Sequence, residues 1–69
     1  MKKFLFYQLE YKVSLNQKTQ TIKQFNEPTR LSFFMGSIDI YSYLIYKVTQ
    51  IRDTYNYELI DFSDVPLFN

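Results

Sequence analysis

The stretch Asn26-Glu27-Pro28-Thr29-Arg30-Leu31-Ser32-Phe33-Phe34-Met35-Gly36-Ser37-Ile38-Asp39-Ile40-Tyr41-Ser42-Tyr43-Leu44-Ile45-Tyr46-Lys47-Val48 decides the fold, because the chain on either side of it reads as strand. Asn26 can cap a helix, and Pro28 is tolerated in a first turn, where its missing N–H would be unpaired in any case. Leu31, Phe34, Ile38, Tyr41, Ile45 and Val48 then recur at spacings of three and four, which is a helical stripe. A second start signal stands at Ser37, just after Gly36, with Asp39 in the turn that follows. The helix therefore begins near Pro28 and tolerates Gly36 at ~1 kcal/mol, or begins at Ser37 behind a short strand over 31–35. Either way the spacing predicts a helix over 38–52. Enrichment in Ile, Tyr and Val supports a strand over 38–48 as the alternative.

Outward from this stretch the signals are simpler. Residues 3–13 alternate, with Leu5, Tyr7, Leu9, Tyr11 and Val13 on one face and Gln8, Glu10 and Lys12 on the other. Phe4 and Phe6 make the start of that strand apolar on both sides. Residues 14–19 have turn composition, and 20–25 read as a shorter strand whose lysine and glutamines suit a sheet edge. Residues 54–62 read as a last strand and 63–69 as a tail containing Pro66. The expectation is an α+β fold: an antiparallel sheet of three or four strands with one helix packed across it, in the order β-β-(β)-α-β. Residues 1–62 make one domain.

Composition narrows the function classes. The chain has 69 residues, 46% hydrophobic and 20% aromatic, with one Gly and two Pro, which is a globular composition. It contains no Cys and no His, so thiol nucleophiles, imidazole bases and the usual zinc ligand sets are excluded. A glycine-rich phosphate loop is excluded as well, since Gly36 is the only glycine. Asp61 and Asp64, with Asp53 and Glu58 nearby, read as solvated acids on a terminal strand and tail. No enzyme chemistry, cofactor or metal is expected.

Alanine is absent, while Phe, Tyr, Ile, Leu, Lys, Asn and Gln dominate; this is the usage of an AT-rich coding sequence and suggests a phage or mobile element of a low-GC bacterium. Met1-Lys2-Lys3 before an apolar run imitates a signal peptide, but Gln8 and Glu10 interrupt the run too early. No stretch reaches the ~20 apolar residues of a membrane span, so a cytoplasmic location is expected.

Charge is uneven. Residues 1–30 carry six basic against two acidic side chains, a net +4, and residues 31–69 carry two against five, a net −3. If 38–52 is a helix, Ile40, Tyr43 and Tyr46 form a second apolar sector beside its main stripe. That sector is either covered by loops and tail or meets a second protein, a homodimer partner or a target. The basic hairpin 12–23 supports a different reading, in which Lys12, Lys18, Lys23 and Arg30 follow a phosphate backbone while Tyr7, Tyr11 and Phe25 stack on bases. Against it, Tyr7 and Tyr11 belong to a stripe more economically read as core, and the isoelectric point is near 7.9.

At the C-terminus, Asp61-Phe62-Ser63-Asp64-Val65-Pro66-Leu67-Phe68 resembles the acidic tip of bacterial single-stranded DNA-binding proteins. The resemblance implies a tail that docks partner proteins through its terminal Phe; the other reading has Val65, Leu67 and Phe68 folding back on this chain's own core. Taken together, the residues predict a small non-enzymatic protein-interaction module, phage- or mobile-element-encoded, that binds a host protein, with inhibition as one form that binding can take. The alternative is a small single-stranded nucleic-acid binder.

Overall fold

Pro28 does open a helix, and Gly36-Ser37 ends it. In the computed structural model, which describes residues 2–63, the order is β1 (Lys2–Lys12), β2 (Thr21–Phe25), α1 (Pro28–Ser37), β3 (Ser42–Ile51) and β4 (Thr54–Phe62). The strands form one antiparallel sheet in the order β2-β1-β3-β4. β2 and β3 therefore run parallel on either side of β1, and α1 makes the crossover between them.

The α+β class and the four-stranded antiparallel sheet with one helix stand as expected. The place of the helix does not. Of the residues expected as helix over 38–52, 42–51 form the inner strand β3, 38–41 lead into it and Arg52 opens its turn, and the helix lies wholly upstream of Ile38, which is already extended (φ −137°, ψ 159°). The reason is that β3 is apolar on both faces. Tyr43 and Ile45 point to the side of α1, Leu44, Tyr46 and Val48 to the other, and a strand of this kind shows no alternation to read. Spacings of three and four then arise without a helix. The β-branched and aromatic content was the signal that mattered.

α1 buries the stripe Leu31, Phe34, Met35 and, just past its end, Ile38, at spacings of three, one and three. These meet Leu9 and Tyr11 of β1, Phe25 of β2 and Ile45 of β3. Tyr11 meets Phe34 edge to face at 5.6 Å, and Phe25 lies 5.5 Å from the same ring. Glu27, at the helix N-cap, makes no side-chain cap, and its carboxylate instead pairs weakly with Arg30 at 3.6 Å. Packing, not capping, holds the helix down.

Two bulges set which residues share a face. Leu5 is the extra residue between Phe4 and Phe6 in β1, and Ile60 is the extra residue in β4 opposite Ile45 and Tyr46. The first places Phe4, not Leu5, on the side of Tyr7, with ring centroids 5.0 Å apart. The hairpin β3–β4 turns through Arg52 and Asp53 alone, with Arg52 at φ 59°.

Candidate interaction surface

Register and alternation divide the sheet into quarters. On the β1–β2 half, the face under α1 is apolar (Leu9, Tyr11, Phe25) and the opposite face carries Gln8, Glu10, Lys12 and Gln24. On the β3–β4 half the polarity is reversed. The side of α1 carries Lys47, Thr49, Asn56, Glu58 and Asp61, and the opposite face carries Leu44, Tyr46, Val48, Tyr57, Leu59 and Phe62. Phe6 of β1 extends this second apolar patch, since it lies directly across from Val48. Tyr46 and Tyr57 meet there edge to face at 6.2 Å.

One helix cannot serve both apolar quarters. α1 lies over β1 and β2 and reaches β3 only at the core cluster with Ile45, and no described element lies over the patch on the far side. The consequence falls on β4, where every residue is exposed. Tyr55, Tyr57, Leu59, Ile60 and Phe62 each keep between 46% and 56% of their surface in water. At about 200 Å² for a side chain of this size, the strand exposes on the order of 500 Å² of large apolar side chain, the size of the largest patch on a typical monomer, which is often functional.

Ile40, Tyr43 and Tyr46 do not share a sector. Ile40 lies in the link before β3 and, with Tyr43, packs against the core beneath α1, whereas Tyr46 is on the opposite face with Tyr57. Their grouping required a helix where the chain forms a strand. Tyr43 donates a 3.3 Å hydrogen bond to Asp61, joining β3 to β4 on the polar side. Burial first, and then the negative charge of Asp61 that accepts this bond, hold the Tyr43 hydroxyl above the usual tyrosine range. Of the three residues, Tyr46 alone belongs to the open patch. The alternation of 54–62 pointed to Tyr55, Tyr57 and Leu59 as one face, but not that it would stay uncovered.

The basic residues are also separated. Lys23 lies on the α1 side with its ammonium 5.0 Å from the centre of the Phe34 ring, Lys12 points to the other face, Lys18 is in the exposed loop, and Arg30 is beside Glu27 on the helix. Tyr11 is buried and Tyr7 and Phe25 are part-buried, so the rings named for base stacking are committed to the core side. Glu10 and Gln8, bonded to each other at 2.9 Å, lie between Lys12 and the centre of its face. Among the described residues no three acidic side chains gather as a metal site would require, and no helix is long and apolar enough to cross a membrane. The tip-like residues 64–69 lie outside the described residues. Scans against protein-family models, curated proteins and solved structures find no match to this chain.

Proposed function

We propose that this protein is a small non-enzymatic binding module whose working surface is the apolar face of the β3–β4 hairpin, and that it acts by contact with another protein. One observation carries the reading: β4 is a nine-residue edge strand with five large apolar side chains half in water. The patch has the composition of interface cores, rich in Tyr and Phe and without lysine. Its rim is polar, with Gln8 and Glu10 on one side and Gln50 on the other. The AT-rich usage suits a phage or mobile-element protein acting on a host protein, and inhibition of that protein is the form of action we infer.

The nucleic-acid alternative draws less support, because its four basic residues occupy different faces. Affinity capture from a host lysate compares the native chain with a Tyr46→Glu/Phe62→Glu variant whose circular dichroism is unchanged. The expected result is a protein retained by the native chain, lost from the variant and indifferent to nuclease. Retention that disappears with nuclease, or oligonucleotide binding whose log affinity falls steeply with log salt, would move the function to nucleic acid.

A further inference from the structure

The two edges of the sheet are not alike. β2 is five residues long and carries Lys23, both of which discourage pairing with another strand. β4 is nine residues long and contains neither Lys nor Pro, and its regular run Thr54–Leu59, ahead of the Ile60 bulge, presents Tyr55, Tyr57 and Leu59 with only Glu58 as a charge. An edge of that composition is a template for a further strand. From its sequence and register we infer that the occupant is a second copy of this chain, joined β4 to β4 in antiparallel about a two-fold axis at Tyr57.

The backbone permits it. A two-residue turn is closed by a hydrogen-bonded pair, here Ile51 and Thr54, and such pairs alternate along an antiparallel ladder. Thr54, Asn56 and Glu58 therefore turn their backbone groups toward β3, while Tyr55, Tyr57 and Leu59 turn theirs outward. A two-fold at Tyr57 sets Tyr57 against the partner copy's Tyr57, and Tyr55 against the partner copy's Leu59, so each outward group meets an outward group.

The side chains select the same register. On the apolar face the pairs are Tyr with Tyr and Tyr with Leu; on the polar face Asn56 meets the partner copy's Glu58. A shift of one residue toward the C-terminus would set Glu58 against its own copy on the axis itself, whereas in the Tyr57 register the like pair, Asp53 with the partner copy's Asp61, falls at the ends, in the turn and beyond the Ile60 bulge. A shift the other way would leave Leu59 opposite the turn residue Asp53. The axis stands perpendicular to the sheet, so both apolar patches fall on one side of an eight-stranded sheet. The inference goes beyond the proposed function, since the joined patches remain available to a different protein.

Size-exclusion with light scattering at micromolar concentration tests it, using the native chain, Tyr57→Lys, Tyr57→Glu and an equimolar mixture of the two variants. Circular dichroism establishes that each is folded. The native chain should weigh twice 8.4 kDa. Each variant opposes like charges at the axis, and its apparent dissociation constant should rise by about tenfold or more. The mixture opposes Lys to Glu and should recover the dimer. A monomeric native chain overturns the inference, whether or not removal of residues 64–69 then allows dimers to form. Dimers that survive in both variants overturn the edge, and a mixture that stays monomeric overturns the two-fold at Tyr57. Lysate capture repeated with Asn56→Glu, which opposes like charges to the partner copy's Glu58 on the polar face and leaves the apolar patch untouched, separates this outcome from failure of the proposed function.

Discussion

Thr49 is almost fully buried in β3, and its hydroxyl has no partner among the described residues. A buried donor left unpaired costs about 1–3 kcal/mol, so Thr49→Val, which keeps the β-branch, should stabilise the fold by about 1 kcal/mol. In a domain of this size that raises the thermal midpoint by about 4–8 °C; a lower midpoint would show that the hydroxyl is paired. Arg52 occupies the left-handed region at the first central position of its turn, where a type II′ hairpin favours Gly. Gln50 donates to the Arg52 carbonyl at 3.0 Å, a contact that any residue retains. Relief of the strain, less the extra freedom of Gly in the unfolded chain, leaves Arg52→Gly about 0.5 kcal/mol more stable by urea unfolding.

Tyr43 adds a pH dependence of definite sign. Its hydroxyl is held above the ordinary tyrosine range by burial and by Asp61, so the folded state binds the proton more tightly than the unfolded chain does. The stability this supplies is complete below about pH 10 and is lost as pH rises through the folded value. Denaturant unfolding of the native chain and Tyr43→Phe across alkaline pH should show the native chain losing stability faster. Parallel curves would mean that the Asp61 contact contributes nothing.

At the scale of the element, α1 is held by one face. Leu31 is its buried residue, against Leu9, Tyr11 and Ile45, whereas Phe33 is 82% exposed on the outer side. Leu31→Ala should cost about 2–5 kcal/mol, and Phe33→Ser should stay within about 0.5 kcal/mol. Equal losses, measured by urea unfolding, would mean that Phe33 is covered. β3 and β4 differ in the same way: β3 holds Ile45, Val48 and Thr49 out of water, and β4 holds none of its residues out.

Across the whole molecule the ladder runs from a buried centre, β1 and β3, to an exposed end at β4. Amide hydrogen exchange should follow it. Leu9, Ile45 and Val48 should exchange slowest, near the global unfolding free energy. Tyr55, Tyr57 and Leu59, whose amides face outward, should exchange fast in dilute protein and slow as concentration rises into the dimer range. Protection there that is independent of concentration would argue against β4 as a self-pairing edge.

Alternation and turn composition by themselves determined β1, β2 and β4, because strands between turn signals leave local marks, while Pro28 marked one of two open helix starts and the α+β class was reached through a helix placed too far downstream. Composition by itself removes thiol and imidazole chemistry, since the chain has no Cys and no His. The identity of 38–52 was not local. Ile38, Tyr41, Ile45 and Val48 have helical spacing, and only their division between two sheet faces, one under α1 and one open, makes them a strand and its lead-in. The open apolar patch was hidden for the same reason. Tyr46 and Tyr57 are eleven residues apart and meet only through the β3–β4 register, and Tyr43 leaves their company because adjacent odd and even positions of a strand point to opposite sides. Which apolar face stays open depends on where a single ten-residue helix lies, and that was decided by the packing of Leu31, Phe34 and Met35 on Leu9, Tyr11 and Ile45.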